Sequence, residues 1–365
     1  MSSDFIIIIT ALLVAGPCAL LGTVLVLRQM AMMGDAISHA VLPGIVIAFF
    51  ITESLGPLVA LVGATVFGLL TAALVEALKN TGRVKEDSSI GVVFTALFAL
   101  GVFLISRFAG DVHLDLKHVL YGAIEFSPLN YLVVGGVSLG PRSFWTLGIV
   151  AAIVVAFVFF FYKELKVSTF DAGLAAAMGF SPILVHYLLM AVVSVTVVGA
   201  FDSVGAILVV ALLIAPPAAA YLITDRLSHM MGFSVAIGAA SAVVGYYSSA
   251  LLDVSVSGMM ATAAGALFVL ALLFSPARGL VAVALRNRRN RRSFSRGLLL
   301  SRLGSLGGHT TEDELARYLD WDRSAVSRAF EEALDEGLVL RPADDEVALT
   351  GKGREAAHQL ARVSI

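Results

Sequence analysis

Cysteine is almost missing from this sequence: Cys18 stands alone. One thiol excludes a disulfide framework within the chain and a metal cage built from cysteines. Charge is scarce as well. Asp, Glu, Lys and Arg make up 14% of the residues, against about 25% in a soluble globular protein. No G-x-x-x-x-G-K-[ST] stretch occurs, so the chain has no P-loop with which to cradle nucleotide phosphates. The start, Met-Ser-Ser-Asp, lacks basic residues, and the apolar run behind it is too long for the core of a typical cleaved signal peptide. It reads as a retained membrane span.

The few charges are unevenly placed. Residues 1–277 hold 10 Lys and Arg and 14 Asp and Glu; residues 278–296 hold seven Arg and no acid; residues 297–365 hold 8 basic and 13 acidic residues. The net charge of −2 hides this division. The expected organisation is a membrane domain over 1–280, a basic juxtamembrane linker over 281–296 and a small acidic soluble domain over 297–365.

A helix needs about 20 apolar residues to cross the hydrocarbon layer. Nine runs qualify, near 5–27, 31–51, 57–78, 89–106, 144–162, 183–201, 204–224, 230–250 and 256–275. The expected fold is therefore an all-α polytopic membrane protein with about nine transmembrane helices. If nine helices alternate, Arg28, Lys79, Arg83, Lys85, Lys163, Lys166, Arg226 and the Arg cluster after the last span share one side. The positive-inside rule makes that side cytoplasmic, with the N-terminus outside and the C-terminus inside. The long outer segment 107–143 contains an apolar stretch, Tyr131–Val137, expected as a re-entrant or interfacial piece.

Charged groups within spans carry the most information, because each costs about 3 kcal/mol or more at mid-bilayer unless it meets water or a partner. The second span contains Gly34-Asp35-Ala36-Ile37-Ser38-His39-Ala40-Val41-Leu42-Pro43-Gly44. Asp35 and His39 are four apart and share a helix face. At about 1.5 Å per residue, His39 lies about a dozen ångströms below the cytoplasmic rim. A carboxylate and an imidazole one turn apart suit Mn²⁺ or Zn²⁺. The competing reading is a mutual hydrogen bond that fixes helix packing. Pro43-Gly44 should distort the helix, as broken helices at membrane depth do around cavities.

At this point the sequence resembles a known family. Met33–Gly44, Val84–Gly91, Tyr162–Leu165, Phe170-Asp171, Ala176–Phe180, Phe201–Pro216 and Leu252–Ser255 are similar, in that order, to the permeases of manganese, zinc and iron-chelate-type ABC importers. The resemblance covers about residues 20–280. It implies a type II ABC importer-like permease and a transport subunit rather than an enzyme. A second copy of the permease, two separate cytoplasmic ATPase subunits and an extracytoplasmic metal-binding protein are the partners it implies, all working at the cytoplasmic (inner) membrane and its lipid bilayer. No permanently bound cofactor is expected; Mn²⁺ or Zn²⁺, with Fe²⁺ as a further option, is the substrate. By resemblance Asp35 and His39 match the family's metal positions in the pore. The loop Lys163–Pro182, with Phe170, Asp171 and Gly179, is where an ATPase would couple; its bland reading is an ordinary interfacial loop.

Other polar residues are more ambiguous. Asp111, His113, Asp115 and His118 form a loose outer cluster, either a metal-collecting vestibule or a common polar loop. Asp202 and Asp253, at outer span junctions, either guide a cation by field focusing or cap helices. His186 and His229 read as helix-end residues. Pro216-Pro217 should interrupt the seventh span, as a gate or a kink.

The tail reads as a winged-helix-like domain. A helix capped by Thr310 or Thr311 covers 308–319, a second runs from Asp322 to Leu334, and Leu338–Leu340 with Val347–Leu349 suggest a two-stranded wing closed by a helix near 356–362. Its acid excess argues against DNA as a partner. The leading function is ATP-driven import of a divalent transition metal delivered by a binding protein. The alternatives are a membrane-anchored transcription regulator whose tail reads DNA, and a carrier that works without ATP.

Overall fold

Each long apolar run is helix in the computed structural model, which describes residues 2–53, 56–108, 124–134, 137–276, 278–306, 309–342 and 346–363. The chain divides into two units, Met1–Gly279 and Leu280–Ile365.

The first unit contains α1 (Ser3–Leu27), α2 (Met32–Thr52), α3 (Pro57–Asn80) and α4 (Glu86–Phe108). After a 3-10 turn, Ile124–Leu129, come β1 (Tyr131–Val134), β2 (Val137–Pro141) and α5 (Arg142–Phe160). Two short helices follow, α6 (Tyr162–Phe170) and α7 (Ala172–Ala177), then α8 (Pro182–Val204), α9 (Ala206–Ile223), α10 (Leu227–Leu252) and α11 (Val256–Phe274). Among the described residues, nine of these helices are long and apolar enough to cross a membrane. This unit is a polytopic membrane protein whose spans are all α-helical, and the spans lie within a few residues of their expected limits. The described part of the apolar stretch Tyr131–Val137 belongs to two short antiparallel strands, with Val134 opposite Val137; seven residues are too few to cross the bilayer in any form.

Small residues set the helix spacing, as is usual where lipid removes the hydrophobic drive between helices. A Cβ placed on Gly44 of α2 would lie 2.4 Å from the Gly63 carbonyl oxygen of α3, and the reverse distance is also 2.4 Å. Gly101 of α4 packs equally tightly on Pro43, where an added Cβ would meet the ring Cδ at 2.8 Å. Buried α1 lies against α9 and α10; the Thr23 and Ser234 hydroxyls meet there at 3.0 Å.

Pro216-Pro217 departs from expectation, since it does not interrupt its span. α2 continues through Pro43, and α9 continues through Pro216-Pro217 without a break. Pro217 has no N–H to give the Leu213 carbonyl. Gly22 of α1 stands against that oxygen instead, so closely that a Cβ there would fall 1.9 Å from it. A neighbouring helix thus covers the released carbonyl, one of the ways membrane helices tolerate proline.

Polar contacts near the helix ends mark the two ends of this unit. At one end Arg28 bonds to Ser168 and Thr169, and Arg278 lies over the Tyr221 ring. At the other, Tyr246 donates to Asp4, and Glu125 accepts from the Val256 N–H that opens α11.

The second unit contains α12 (Leu280–Ser305), β3 (His309–Thr311), α13 (Glu312–Leu319), α14 (Arg323–Asp335), β4 (Val339–Leu340), β5 (Glu346–Leu349) and α15 (Gly351–Val363). The basic stretch 281–296, expected as a linker, lies inside α12. The strands form one antiparallel sheet in the order β3-β5-β4, so the pair expected from the sequence gains a third strand. Thr311 caps α13 by accepting from the Glu314 N–H at 3.3 Å. Phe330 is buried at the centre, among Leu299, Leu303, Leu315, Val326 and Val347.

Candidate functional site

Asp35 falls in the first turn of α2 and His39 one turn later. The 3.6-residue repeat puts both on one face. His39 Nε2 stands 3.6 Å from Asp35 Oδ1, and the side chains are 37% and 28% exposed respectively. That gap is too long for a hydrogen bond. It falls within ion-pair distance, and it is close to the roughly 3.4 Å between two ligands that each stand about 2.1 Å from one tetrahedral ion. Pro43 adds a second consequence. Its missing N–H leaves the His39 carbonyl without its usual helical donor.

α4 completes the walls. The His39 ring lies 5.8 Å from the Phe94 ring, tilted, and 5.7 Å from the Phe98 ring, edge-on. These aromatics hold the imidazole from two neighbouring positions on one helix face. Their four-residue spacing was the only sequence signal for them. Ser38 donates to the Asp35 carbonyl at 2.6 Å and so faces its own helix. Among the described residues no group of three or more His, Cys, Asp or Glu is placed to hold a metal ion. One chain therefore offers two side-chain donors here.

Between this pair and the loop end of α3 lies a further polar layer. Tyr187 of α8 donates to Glu76 of α3 at 2.7 Å, and Lys79 pairs with Glu86 across the turn into α4 at 2.5 Å. Glu76 lies inside the third span, and the cost argument that singled out Asp35 applies to it equally. The remaining Glu86 oxygen, Oε1, is buried without a hydrogen-bond partner.

The expected coupling loop is two helices meeting at Phe170. Phe170 ends α6 and is 62% exposed. Asp171 caps α7 by accepting from the Leu174 N–H at 2.9 Å. Gly179 turns the chain toward α8 with φ of 86°, a conformation that favours glycine. Arg28, at the end of α1, donates from Nη2 to Ser168 at 2.7 Å and from Nε to Thr169 at 3.1 Å. Burial pushes its guanidinium below the ordinary arginine pKa. Beside it lies a cleft of about 460 Å³, lined by Leu27, Gln29, Phe170, Tyr221, Asp225 and Arg278 among others.

The remaining candidates separate. Asp111, His113, Asp115 and His118 lie outside the described residues. Asp202 is inside α8, with its side chain outside the described part. Asp253 closes the C-terminal end of α10 in the left-handed conformation, φ 53°, and so does not cap a helix start. His229 lies in the first turn of α10, and His186 lies just past the first turn of α8. That is the positive end of the helix dipole, where a histidine cation gains nothing; the expected stabilising role at a helix end does not apply.

Residues 5–275 match the family model described as the ABC 3 transport family. This chain belongs to the ABC 3 transport family. Its membrane unit is a multi-pass ABC permease. It is 50% identical to the manganese transport system membrane protein MntD of Bacillus subtilis, over 78% of this chain and 97% of that protein. It is 40% identical to the zinc transport system membrane protein TroD of Treponema pallidum, over 92% of this chain and 93% of the relative. The TroD match cannot reach that coverage without the second unit, so TroD shares sequence there. Among solved structures, the permease resembles PsaBC from Streptococcus pneumoniae in complex with Fab, at a TM-score of 0.61 and 32% identity, over 76% of this chain and 94% of that one.

Proposed function

We propose that this ABC 3 permease is the membrane half of an ATP-driven importer that carries Mn²⁺ or Zn²⁺ inward, with Fe²⁺ a chemically allowed third substrate. The observation that carries the reading is the Asp35–His39 pair, spaced at 3.6 Å on one face of a membrane helix. Both relatives named above carry manganese or zinc in their names. Asp and His donors suit these metals, with geometry rather than raw affinity choosing among them.

First-row divalent ions take four or more ligands, and one chain brings two side chains. A second copy of the permease, presenting its own Asp35 and His39, brings the number to four. Two ATPase subunits dock from the cytoplasm on α6 and α7 around Phe170, Asp171 and Gly179, and a binding protein delivers metal from outside. The orientation rests on Arg28, Lys79, Arg83, Lys85, Lys163, Lys166, Arg226 and Arg278, which fall on one side if the spans alternate. The inner membrane is then the location, with the N-terminus outside and the second unit in the cytoplasm. We read that unit as a winged-helix-like module that regulates or stabilises the assembly. No observation favours the transcription-regulator reading, since the tail carries 13 acids against 8 bases over residues 297–365.

The test is reconstitution of the full-length permease with its ATPase in vesicles, with metal supplied on the binding protein. Uptake of Mn²⁺ or Zn²⁺ that requires ATP hydrolysis supports the reading. Uptake at the same rate without ATP or the ATPase establishes an ATP-independent carrier instead.

A further inference from the structure

The turn from α1 to α2 is short and stiff. The Arg28 N–H closes α1 on the Val24 carbonyl at 3.0 Å, the Met30 N–H reaches back to the Leu25 carbonyl at 2.8 Å, and the Met33 N–H bonds the Met30 carbonyl at 3.0 Å. Gln29 between them takes φ of 61°, a left-handed conformation that a non-glycine residue adopts at a cost. Such a turn moves as a block. Asp35 follows in the first turn of α2, so a displacement of Arg28 reaches the candidate metal pair with little slack.

The Arg28 side chain leaves this block and crosses to α6. It bonds the hydroxyls of Ser168 and Thr169, the two residues immediately before Phe170. Both partners are neutral, and no carboxylate among the described residues pairs with Arg28. A half-buried cation gains little stability from two hydroxyls compared with a carboxylate. What the planar guanidinium supplies is a fixed fork that holds two acceptors at a set spacing. Beside it, a cleft lined by Leu27, Gln29 and Phe170 separates part of the end of α6 from the same turn. The two hydroxyl bonds are thus the polar link between the exposed Phe170 segment and α2's base.

We propose that Arg28 is a positioning residue that passes movement of the α6–α7 segment, through Ser168 and Thr169, to α2 and so to Asp35 and His39. The proposal rests on the reading that α6–α7 docks the ATPase. Arg28 touches neither metal nor nucleotide; its effect is on how many ions move per ATP spent.

The experiment uses the full-length permease reconstituted with its ATPase, with Mn²⁺ delivered by the binding protein, and reads Mn²⁺ uptake and ATP hydrolysis on the same vesicles. Arg28→Ala is expected to lower Mn²⁺ moved per ATP by about tenfold, in the range of site-to-site coupling, while hydrolysis itself persists. The pair Ser168→Ala/Thr169→Ala should do the same, and combining all three should add nothing, because one link is broken in each case. Arg28→Lys keeps a cation at the ends of α1 and α6 but loses the fork, and should remain uncoupled. Restoration of the full ratio by Lys would reduce the role to a helix-end charge and overturn the proposal. So would an unchanged ratio, or uptake and hydrolysis falling in proportion. If Arg28→Ala fails to accumulate, the Ser168/Thr169 pair decides by the same criteria. Crosslinking from Phe170→Cys to the ATPase separates this proposal from its premise. A crosslink alongside a normal ratio in Arg28→Ala sinks the Arg28 role alone; no crosslink in otherwise unaltered permease sinks the docking reading, and this proposal with it.

Discussion

The imidazole of His39 and the carboxylate of Asp35 face each other across 3.6 Å, one turn apart on α2. The gap exceeds a hydrogen bond, falls within ion-pair distance and is close to the roughly 3.4 Å between two ligands of one tetrahedral ion. Both side chains keep partial exposure, 37% and 28%, so water and their mutual pairing share the cost of placing them in a membrane helix.

Asp35→Ala and His39→Ala should each abolish metal uptake while leaving membrane insertion intact. The loss should exceed the roughly 10–100-fold that removing a supporting partner of a metal ligand costs. Uptake by both variants, measured at equal expression and close to the unaltered rate, would remove these residues from the path. Phe98→Leu tests the aromatic wall: it keeps both donors but releases one side of the imidazole, so a smaller loss is expected.

Phe170 should crosslink to the partner ATPase when replaced by cysteine. Cys18, the single native thiol, is buried in α1 and gives a quiet background. Crosslinks obtained only from the segment 107–143 at the opposite end would reverse the assigned orientation.

Gly63→Val should destabilise the membrane unit. The added Cβ would lie 2.4 Å from the Gly44 carbonyl and 2.7 Å from the Ala48 Cβ, so α2 must move away from α3. Overpacking of this kind costs about 1–3 kcal/mol, and here it displaces the helix that carries Asp35 and His39. A lower unfolding temperature in detergent, together with reduced uptake, is the expected result. Gly265→Ala is the control, since nothing lies within 4 Å of its added Cβ. Equal stability of the two variants would show that the α2–α3 crossing yields more easily than its geometry implies.

The tail should not bind DNA tightly. DNA affinity comes largely from phosphate neutralisation, and α14 offers few basic side chains; Arg328 Nε is already committed to the Ser324 carbonyl at 3.0 Å. Titration of purified residues 280–365 with random and promoter DNA at physiological salt checks this, and tight, sequence-dependent binding would overturn it. A permease ending at Gly279 should assemble but show altered ATPase control; unaltered control would remove the regulatory role.

Much of the fold was legible because lipid leaves a chain few options. Runs such as Ser3–Leu27 and Ala206–Ile223 must be helices to satisfy their own backbone. The second unit was legible in part: the helix start at Thr311 and the β4–β5 pair followed from capping and turn chemistry. β3 was not, because three residues from His309 to Thr311 carry no periodicity and become a strand only by pairing with β5. Pro216-Pro217 misled for a similar reason. Proline chemistry indicates that a carbonyl is released, whereas what covers the Leu213 oxygen is Gly22, nearly 200 residues earlier.

The sequence by itself determined the membrane class, the number and order of spans, the placing of Asp35 and His39 on one face and the lack of an ATP-binding loop. Each is a local property, set by hydropathy over a window, a helical repeat or a motif. Tertiary structure alone decided that Phe94 and Phe98 flank the His39 imidazole and that Arg28 joins residues 140 positions away. Those relations depend on how α1, α2, α4 and α6 pack together, and packing is fixed by close approaches at Gly22, Gly44, Gly63 and Gly101 that no single stretch of sequence contains.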